Sequence, residues 1–449
     1  MFNYLRKILP ERHPLRLLYH RIKGLIAALI YFFPANNLIV IGVTGTNGKT
    51  TTANFITNIL NTAGHKVGMT STINFQVGDE RWNNILKQTT VGPFMLQKLL
   101  KRMVNAGCKY VVLEVTSHAL DQSRVFGINF DVAVMTNITE DHIEYHGSVN
   151  SYLNAKAKFF KKISKGRRKF GVPKISILNA DDKYYKFFDQ FLADRKITYG
   201  FKAATVYAEK IEKHPEGSSF VLHVPNSAVP VDLKLPGEFN VYNALAAAAA
   251  TISLEVPIDV VKKGLEDSAS VAGRFEHVDC GQKYSVIVDY AHATDALDNL
   301  LKLYRRLTPG KLYSVFGATG GGRDKKKRPV MGKIANEYAD YIILTDDDPY
   351  SEDEWRIIED VAEGVSRKEG QNFWKIPNRR EAIRLALTMA KEGDTVVISG
   401  KGCEEVMKVR GKTVKWNDRE VTEDLLNREI EVEIKNEEFE KRENVCMQS

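Results

Sequence analysis

Leu38-Ile39-Val40-Ile41-Gly42-Val43-Thr44-Gly45-Thr46-Asn47-Gly48-Lys49-Thr50-Thr51-Thr52 decides how the chain is read. It opens on a short β-branched run and turns through a glycine-rich stretch. It then continues with apolar residues at helical spacing (Phe55, Ile56, Ile59, Leu60) that stop at Gly64. Strand, loop and helix in that order are the setting of a phosphate loop. Backbone N–H groups at the start of the helix cradle phosphate oxygens, Lys49 reaches the terminal phosphates, and the Thr50 hydroxyl ligates Mg²⁺. The expected contacts are Gly45, Thr46, Asn47, Gly48, Lys49, Thr50 and Thr51. The strict pattern is missed by one position, because Val43 stands where the first glycine would be.

Outward from this loop, strand-like and helix-like segments alternate. A helical pattern from Met95 to Val104 ends before Gly107, Tyr110 to Val115 reads as a buried parallel strand, and Asp131 to Thr136 as another. After the basic stretch from Lys161 to Lys169 the pattern resumes through Ile175 to Leu178 and an alanine-rich helix from Asn243 to Ala250. Four more strands are expected at Ser285–Val288, Leu312–Phe316, Tyr341–Leu344 and Thr395–Ile398. The fold class is therefore α/β: a phosphate-loop domain with a parallel sheet, followed by a second, Rossmann-like α/β domain. The expected organisation is an N-terminal basic and apolar helical segment over 1–37, a central domain over 38–272, a C-terminal domain over 273–430, and a charged tail over 431–449.

With 43% apolar and 27% charged residues in 449, the chain can build proper cores, which excludes disorder as its default. The formal charge of +8 is met by phosphorylated small molecules. Nucleic acid is not expected, because the basic runs Lys161–Lys169 and Lys325–Arg328 come without an aromatic stacking platform. Cys108, Cys280, Cys403 and Cys446 form no CxxC pair and read as reduced cytosolic thiols, so a cytoplasmic location is expected. The apolar run Gly24–Phe33, preceded by Arg6, Lys7, Arg12, Arg16, Arg21 and Lys23, is too short to span a bilayer. It reads as a helix packed on its own nucleotide domain, with peripheral membrane contact through residues 15–33 as the other reading.

Acidic and imidazole side chains follow at strand ends: Glu114 before Ser117 and His118, then Asn137, Asp141, His142 and His146. Ligands of parallel sheets bind beyond the carboxyl ends of strands, where these residues fall. Glu114 with His142 beside a phosphate loop makes a second metal position. His146 alone reads equally well as a packing histidine.

These residues, together with Asn179-Ala180-Asp181-Asp182, Leu235 to Ala244 and Gly273-Arg274-Phe275-Glu276, resemble the Mur ligases. Val288 to His292, Phe316 to Gly332, Thr345-Asp346-Asp347-Asp348-Pro349 and Gly400-Lys401-Gly402-Cys403-Glu404 most resemble the tripeptide-synthetase branch of that family. The match runs in order from about residue 38 to about residue 425, which makes it far more specific than any one motif.

The resemblance implies an ATP-dependent ligase of peptidoglycan precursor synthesis. The carboxylate of a muramyl peptide would attack the γ-phosphate to give an acyl phosphate, and the amine of an incoming amino acid would then displace phosphate. One Mg²⁺ would lie at Thr50 and Glu114, and a second near Glu114 and His142. Lys156 matches the family's carbamylated lysine, a carbamate being an anionic oxygen donor where an ammonium is none; by sequence alone Lys156 is an ordinary surface lysine. Asn137, Asn240, Asn243, Arg274 and Asp289 fall where the family contacts ATP. Thr89, Thr90 and Ser117 resemble positions that hold the muramyl peptide, while Arg323, Asp347, Asp348, Tyr350, Gly400 and Glu404 fall on the amino-acid segments. A monomer is expected.

Two departures bear on the substrates. About 40 residues precede the phosphate loop, where the family usually carries a whole domain for the uridine part, so that domain is expected to be missing. The acceptor is then open between a UDP-linked and a lipid-linked form, and the N-terminal helix would have an evident use with the latter. Enzymes that add diaminopimelate resemble Asp-Asn-Pro-Arg where this chain has Asp347-Asp348-Pro349-Tyr350. An acidic Asp348 suits an ammonium better than a carboxylate, which favours lysine or another diamino acid, with diaminopimelate open through Arg323. A folylpolyglutamate-synthase-like ligase would share the phosphate loop but not the Asp-Asp-Pro and Gly-Lys-Gly-Cys-Glu segments. A silent scaffold would have no use for Lys49, Glu114, His142 and Lys156.

Overall fold

The computed structural model describes residues 10, 12–84, 86, 88–139, 143–214, 217–268, 273–321, 325–409 and 411–428. The chain divides into two compact units that meet in sequence between residues 269 and 270.

The first unit carries α1 (Pro14–Ile30), a 3-10 turn (Pro34–Asn37), β1 (Ile39–Thr44), α2 (Lys49–Thr62), β2 (Val67–Thr70), β3 (Asn74–Val77), β4 (Glu80–Asn83), α3 (Pro93–Asn105), β5 (Tyr110–Glu114) and α4 (Ser117–Asp121). It continues through β6 (Val132–Met135), α5 (Ile143–His146), α6 (Val149–Lys165), β7 (Ile175–Asn179), α7 (Tyr185–Asp189), β8 (Arg195–Gly200), β9 (Val206–His214), β10 (Gly217–Val224), β11 (Ser227–Leu233), α8 (Glu238–Ile252) and α9 (Ile258–Glu266). The strands form one sheet in the order β11-β10-β9-β8-β7-β6-β1-β5-β2-β3-β4. Its centre, from β9 to β2, is parallel, and the hairpin strands at the two ends are antiparallel.

Parallel strands need cover on both faces. On one face, Leu96, Leu99 and Met103 of α3 and Phe159 and Phe160 of α6 share a core with Val111, Leu113, Ala133 and Met135. The intervening side chains face the layer where α2 packs against α8 and α9. Close packing at β1 explains Gly42, where a Cβ would lie 2.4 Å from the Phe159 ring. The register pairs Val43 with Glu114 and Thr44 with Met135, so the carboxyl ends of β1, β5 and β6 meet at one edge. Chain connections diverge to either side of β1 there, the place where such sheets bind ligands.

The second unit carries β12 (Glu276–His277), β13 (Ser285–Asp289), α10 (Thr294–Leu307), β14 (Leu312–Phe316), α11 (Lys327–Tyr338), β15 (Tyr341–Leu344), α12 (Glu354–Ala362), β16 (Phe373–Lys375), α13 (Arg379–Met389), β17 (Thr395–Ser399), β18 (Val406–Val409) and β19 (Lys412–Lys415). Its six-stranded sheet runs β12-β13-β17-β14-β15-β16, parallel except for β12. Val286, Val288, Val315, Ile343 and Ile398 pack with Ile383 and Leu387 of α13 in its core.

Every strand expected from the sequence is present. The hairpins β9–β11 and β18–β19 go beyond the expectation, because their sequences mix polar and apolar residues and carry no continuous buried apolar run. One expectation for a charged side chain is corrected: Lys156 is 1% exposed rather than on the surface. Arg328, in the basic run Lys325–Arg328, is also fully buried. Its guanidinium is paired with Glu352 and Asp360 at 2.9 and 2.7 Å. Among the described residues, no helix is long and apolar enough to cross a membrane.

Candidate active site

The phosphate loop leaves β1 with Gly45 at φ +154° and enters α2 through Gly48 at φ +81°. Both glycines are required by their neighbours. A Cβ on Gly45 would fall 1.8 Å from the Thr136 hydroxyl, and one on Gly48 would fall 2.1 Å from Asn243 Oδ1. The loop is held from β6, where Asn47 N–H donates to Asn137 Oδ1 at 2.9 Å and the Thr136 hydroxyl donates to the Asn47 carbonyl at 2.6 Å. From α6, the Tyr152 hydroxyl lies 3.0 Å from Thr46 Oγ1. From α8, Asn243 accepts from Thr52 at 3.4 Å and donates to Asn240 Oδ1 at 3.2 Å. Asn240 in turn donates to the Pro236 carbonyl, one step back from the loop.

Two lysines converge on this loop. Lys49 Nζ donates to the carbonyls of Gly45 (3.0 Å) and Thr46 (2.7 Å), and Lys156 Nζ donates to the same Gly45 carbonyl at 2.8 Å. The Lys156 ammonium also lies 4.7 Å from the centre of the Tyr152 ring. Glu114, at the end of β5, is fully buried. Burial raises its carboxyl above the usual range; the Lys49 charge and hydrogen bonds from Thr72 and Thr50 pull the other way. The Thr72 N–H and hydroxyl each lie 3.0 Å from the carboxylate. Nothing in the local sequence singles out Thr72: it sits between β2 and β3, and only the strand register brings it to Glu114.

The Thr50 hydroxyl and the Glu114 carboxylate are hard oxygen donors of the kind Mg²⁺ takes, usually completed by phosphate oxygens and water. Among the described residues no group of three His, Cys, Asp or Glu side chains comes together that could hold a metal. His142 lies outside the described residues, as does Asp141.

Further along this edge, the hydroxyls of Thr72 and Thr89 are 2.9 Å apart, and Thr90 donates to the Glu114 carbonyl at 2.8 Å. Ser117 opens α4, and its hydroxyl is 3.0 Å from His146 Nε2. His146 is buried among Tyr145, Tyr152 and His118, so it packs and also touches a predicted substrate position.

The second unit holds Asp289, Asp347, Asp348 and Gly400 at or just beyond the carboxyl ends of its strands. Asp289 pairs in register with Ser399, next to Gly400. Its carboxylate accepts from the backbone N–H groups of Phe275 (2.9 Å) and Ala291 (2.7 Å), and its carboxyl is raised by burial, against the Arg274 charge. The Arg274 guanidinium stacks 5.1 Å from the Tyr290 ring centre. Gly400, at φ +113°, leaves room for Asp347, whose Oδ2 would meet a Cβ there at 2.7 Å. Burial raises the Asp347 carboxyl, opposed by Lys401 and Arg379.

Asp348 is not the open carboxylate that the sequence suggests. Its Oδ1 accepts from the fully buried Lys401 ammonium at 2.9 Å and from Lys408 N–H at 2.7 Å, and Lys401 also pairs with Glu404. An ammonium from a substrate would have to compete with Lys401. Tyr350 takes a left-handed conformation (φ +57°) and bonds through its backbone to Lys408 and Gly411. Cys403 is half-buried, its thiol pushed up to about 12 by burial. Arg323 lies outside the described residues, as does Cys446. Arg379, which no sequence signal marks, is fully buried and ties Asp418 to the carbonyls of Asp346 and Ser399, fixing two strand ends.

Comparison with known proteins finds two family models, one within each unit. The family model for the Mur ligase middle domain matches residues 43–251, and that for the Mur ligase, glutamate ligase domain matches residues 273–402. The UDP-N-acetylmuramoyl-L-alanyl-D-glutamate–2,6-diaminopimelate ligase of Geobacillus kaustophilus is 42% identical over 402 residues, 89% of this chain and 81% of that protein. The enzyme of the same name from Bacillus cereus is 40% identical over 417 residues, 92% of this chain and 83% of that one. A solved structure of a ligase of that name superposes with a TM-score of 0.62 at 30% identity, covering 87% of this chain and 79% of that one. A Mycobacterium tuberculosis folylpolyglutamate synthase, solved with ADP and AMPPCP, shares the fold at TM-score 0.66 and 16% identity, over 85% of this chain and 92% of that one. At these identities and spans, the chain belongs to the Mur ligase family.

Proposed function

We propose that this Mur ligase joins a carboxylate of a muramyl peptide to the amine of an incoming amino acid, diaminopimelate, lysine or similar, with cleavage of ATP to ADP and phosphate. A carboxylate oxygen attacks the γ-phosphorus as the bond to ADP breaks. The amine then attacks the acyl carbon, phosphate leaves with that oxygen, and the nitrogen loses a proton. Lys49 and the backbone N–H groups at the start of α2 stabilise the charge on the moving phosphoryl group. Thr50 and Glu114 would hold Mg²⁺, which supplies further charge neutralisation there, with His142 and Lys156 serving a second ion. Asn137, Asn240, Asn243, Arg274 and Asp289 are assigned to ATP, and Thr89, Thr90 and Ser117 to the muramyl peptide. Arg323, Asp347, Asp348, Tyr350, Gly400 and Glu404 are assigned to the amino acid. In domain terms, 38–272 is the ATP-binding middle domain and 273–430 the C-terminal domain.

The observation that supports this reading best is the convergence of Lys49 and Lys156 on one carbonyl oxygen of the loop whose lysine charge also acts on the buried Glu114. It also favours a carbamate on Lys156. Two ammonium groups on one acceptor repel, whereas a carbamate would turn that contact into an attraction and add an oxygen donor for a metal. The relatives are named for diaminopimelate, and Asp348 is already committed to Lys401, which returns diaminopimelate to equal standing with lysine. A monomer, with peripheral membrane contact through residues 15–33 as a separable part, completes the reading.

Transfer of oxygen tests the chemistry. With an acceptor carboxylate carrying ¹⁸O, one labelled oxygen per turnover is expected in the released phosphate. Unlabelled phosphate alongside amide product would overturn the acyl-phosphate route.

A further inference from the structure

Helix α1 packs inside out. Its small residues Gly24, Ala27 and Ala28 are buried, Gly24 so closely that a Cβ there would meet Phe126 at 2.7 Å. Its large apolar side chains point away from the domain: Leu15, Leu18, Ile22, Leu25 and Leu29, spaced three or four apart along one side, are 40–62% exposed. The helix has no acidic residue. Arg21 falls at one border of this apolar strip and Arg16 and Lys23 at the other, following the helical period. Basic side chains at such borders lay their stems along apolar surface and keep their charge at its edge.

Both ends of the helix are fixed. Before its start, Arg12 donates to Asp121 and to the His146 carbonyl, each at 3.0 Å, at the carboxyl edge of the sheet. Its end leads through Phe32, 82% exposed, into β1 at the opposite edge. At that edge Lys169 Nζ donates to the Leu38 carbonyl at 2.6 Å. The next residue, Phe170, is fully exposed, with Lys165 and Arg167 exposed nearby in sequence. A second apolar tip with basic neighbours thus arises independently of the helix.

The geometry points to a docking surface for an anionic lipid bilayer, formed by the outward face of α1 with Phe32 and Phe170. It rests on the reading that residues 15–33 meet a membrane and is independent of the ligase chemistry. An exposed apolar strip bordered by cations, on a helix packed closely against its domain, matches the headgroup boundary of such a bilayer, where acyl chains take up the apolar strip and anionic headgroups the basic borders.

The test is co-sedimentation of the full chain, without substrates, with vesicles of phosphatidylglycerol and phosphatidylcholine in equal parts and with vesicles of phosphatidylcholine alone. Binding is expected only to the anionic vesicles, weakened by salt. The triple variant Leu18→Glu, Ile22→Glu, Leu25→Glu should lose it while keeping vesicle-free ADP release. The milder Arg21→Ala, Lys23→Ala pair should weaken binding by roughly thirtyfold. No sedimentation of the wild type, or equal binding to both vesicle types, overturns the proposal. So does a wild-type dimer in analytical ultracentrifugation that the triple variant dissolves, which would assign the face to a second copy of the chain. ADP release lost in wild type and variant alike would strike the ligase reading instead.

Discussion

Two buried carboxylates at the carboxyl edges of the two sheets, Glu114 in the first unit and Asp348 in the second, are handled in opposite ways. Glu114 has neutral donors around it, the N–H and hydroxyl of Thr72, with Lys49 acting across space. Asp348 is locked to the fully buried Lys401, whose ammonium bridges it to Glu404. The difference teaches what each edge is built for. A carboxylate flanked by neutral donors, with one more distant cation, is not held in an ion pair and can take a metal ion as its partner. One inside an ion pair holds the loops in place.

The largest effect that could break this comparison is at Lys49. Lys49→Ala should lower phosphate release by roughly a thousandfold while leaving the circular dichroism spectrum unchanged, since its partners are loop carbonyls. Retained turnover would remove the phosphate loop from the account.

Lys401→Ala should act on stability instead. It leaves Asp348 and Glu404 without their shared cation, and a loss of about 3–5 kcal/mol in urea unfolding is expected. A change within experimental error would show that the second unit does not depend on its ion pairs.

Glu114→Gln sharpens the contrast through pH. The Glu114 carboxyl is raised by burial, so the folded state holds its proton more tightly than the unfolded chain does. Its contribution to stability is therefore present below the unfolded value of 4.5 and lost as pH rises through the folded value. The variant should be more stable than wild type at neutral pH in metal-free buffer, with the gap closing on acidification, and should lose activity. A gap that widens in acid would reverse the sign argued here. The smallest effect is expected at Asn243→Ala, which removes one support of the loop: a net loss of about 1 kcal/mol in melting experiments, with ATP binding weakened several-fold.

What the sequence reveals follows from what is contiguous. The phosphate loop, the strand ends at Glu114 and Thr136, and the segment from Leu235 to Asn243 are each read within one stretch, and the parallel strands announce themselves as buried apolar runs. Thr72, Arg379 and the burial of Lys156 are not legible there, because each depends on which strand lies beside which. The pairing of Asp348 with Lys401 joins residues 53 positions apart and reverses the inference drawn from charge alone. The strands β9–β11 escape the reading for the complementary reason: their buried residues are interrupted by half-buried or exposed ones, so no continuous apolar run marks them.

The most direct test of the central claim is product formation: ATP and UDP-MurNAc-L-Ala-D-Glu incubated with the full chain and, in turn, diaminopimelate, lysine or ornithine in bicarbonate-containing buffer, with mass analysis of the muramyl peptide. The account predicts an acceptor heavier by one amino-acid residue, with one ADP formed per amide bond and dependence on one of the three amino acids. ATP bound with no amide product from any of them would contradict it.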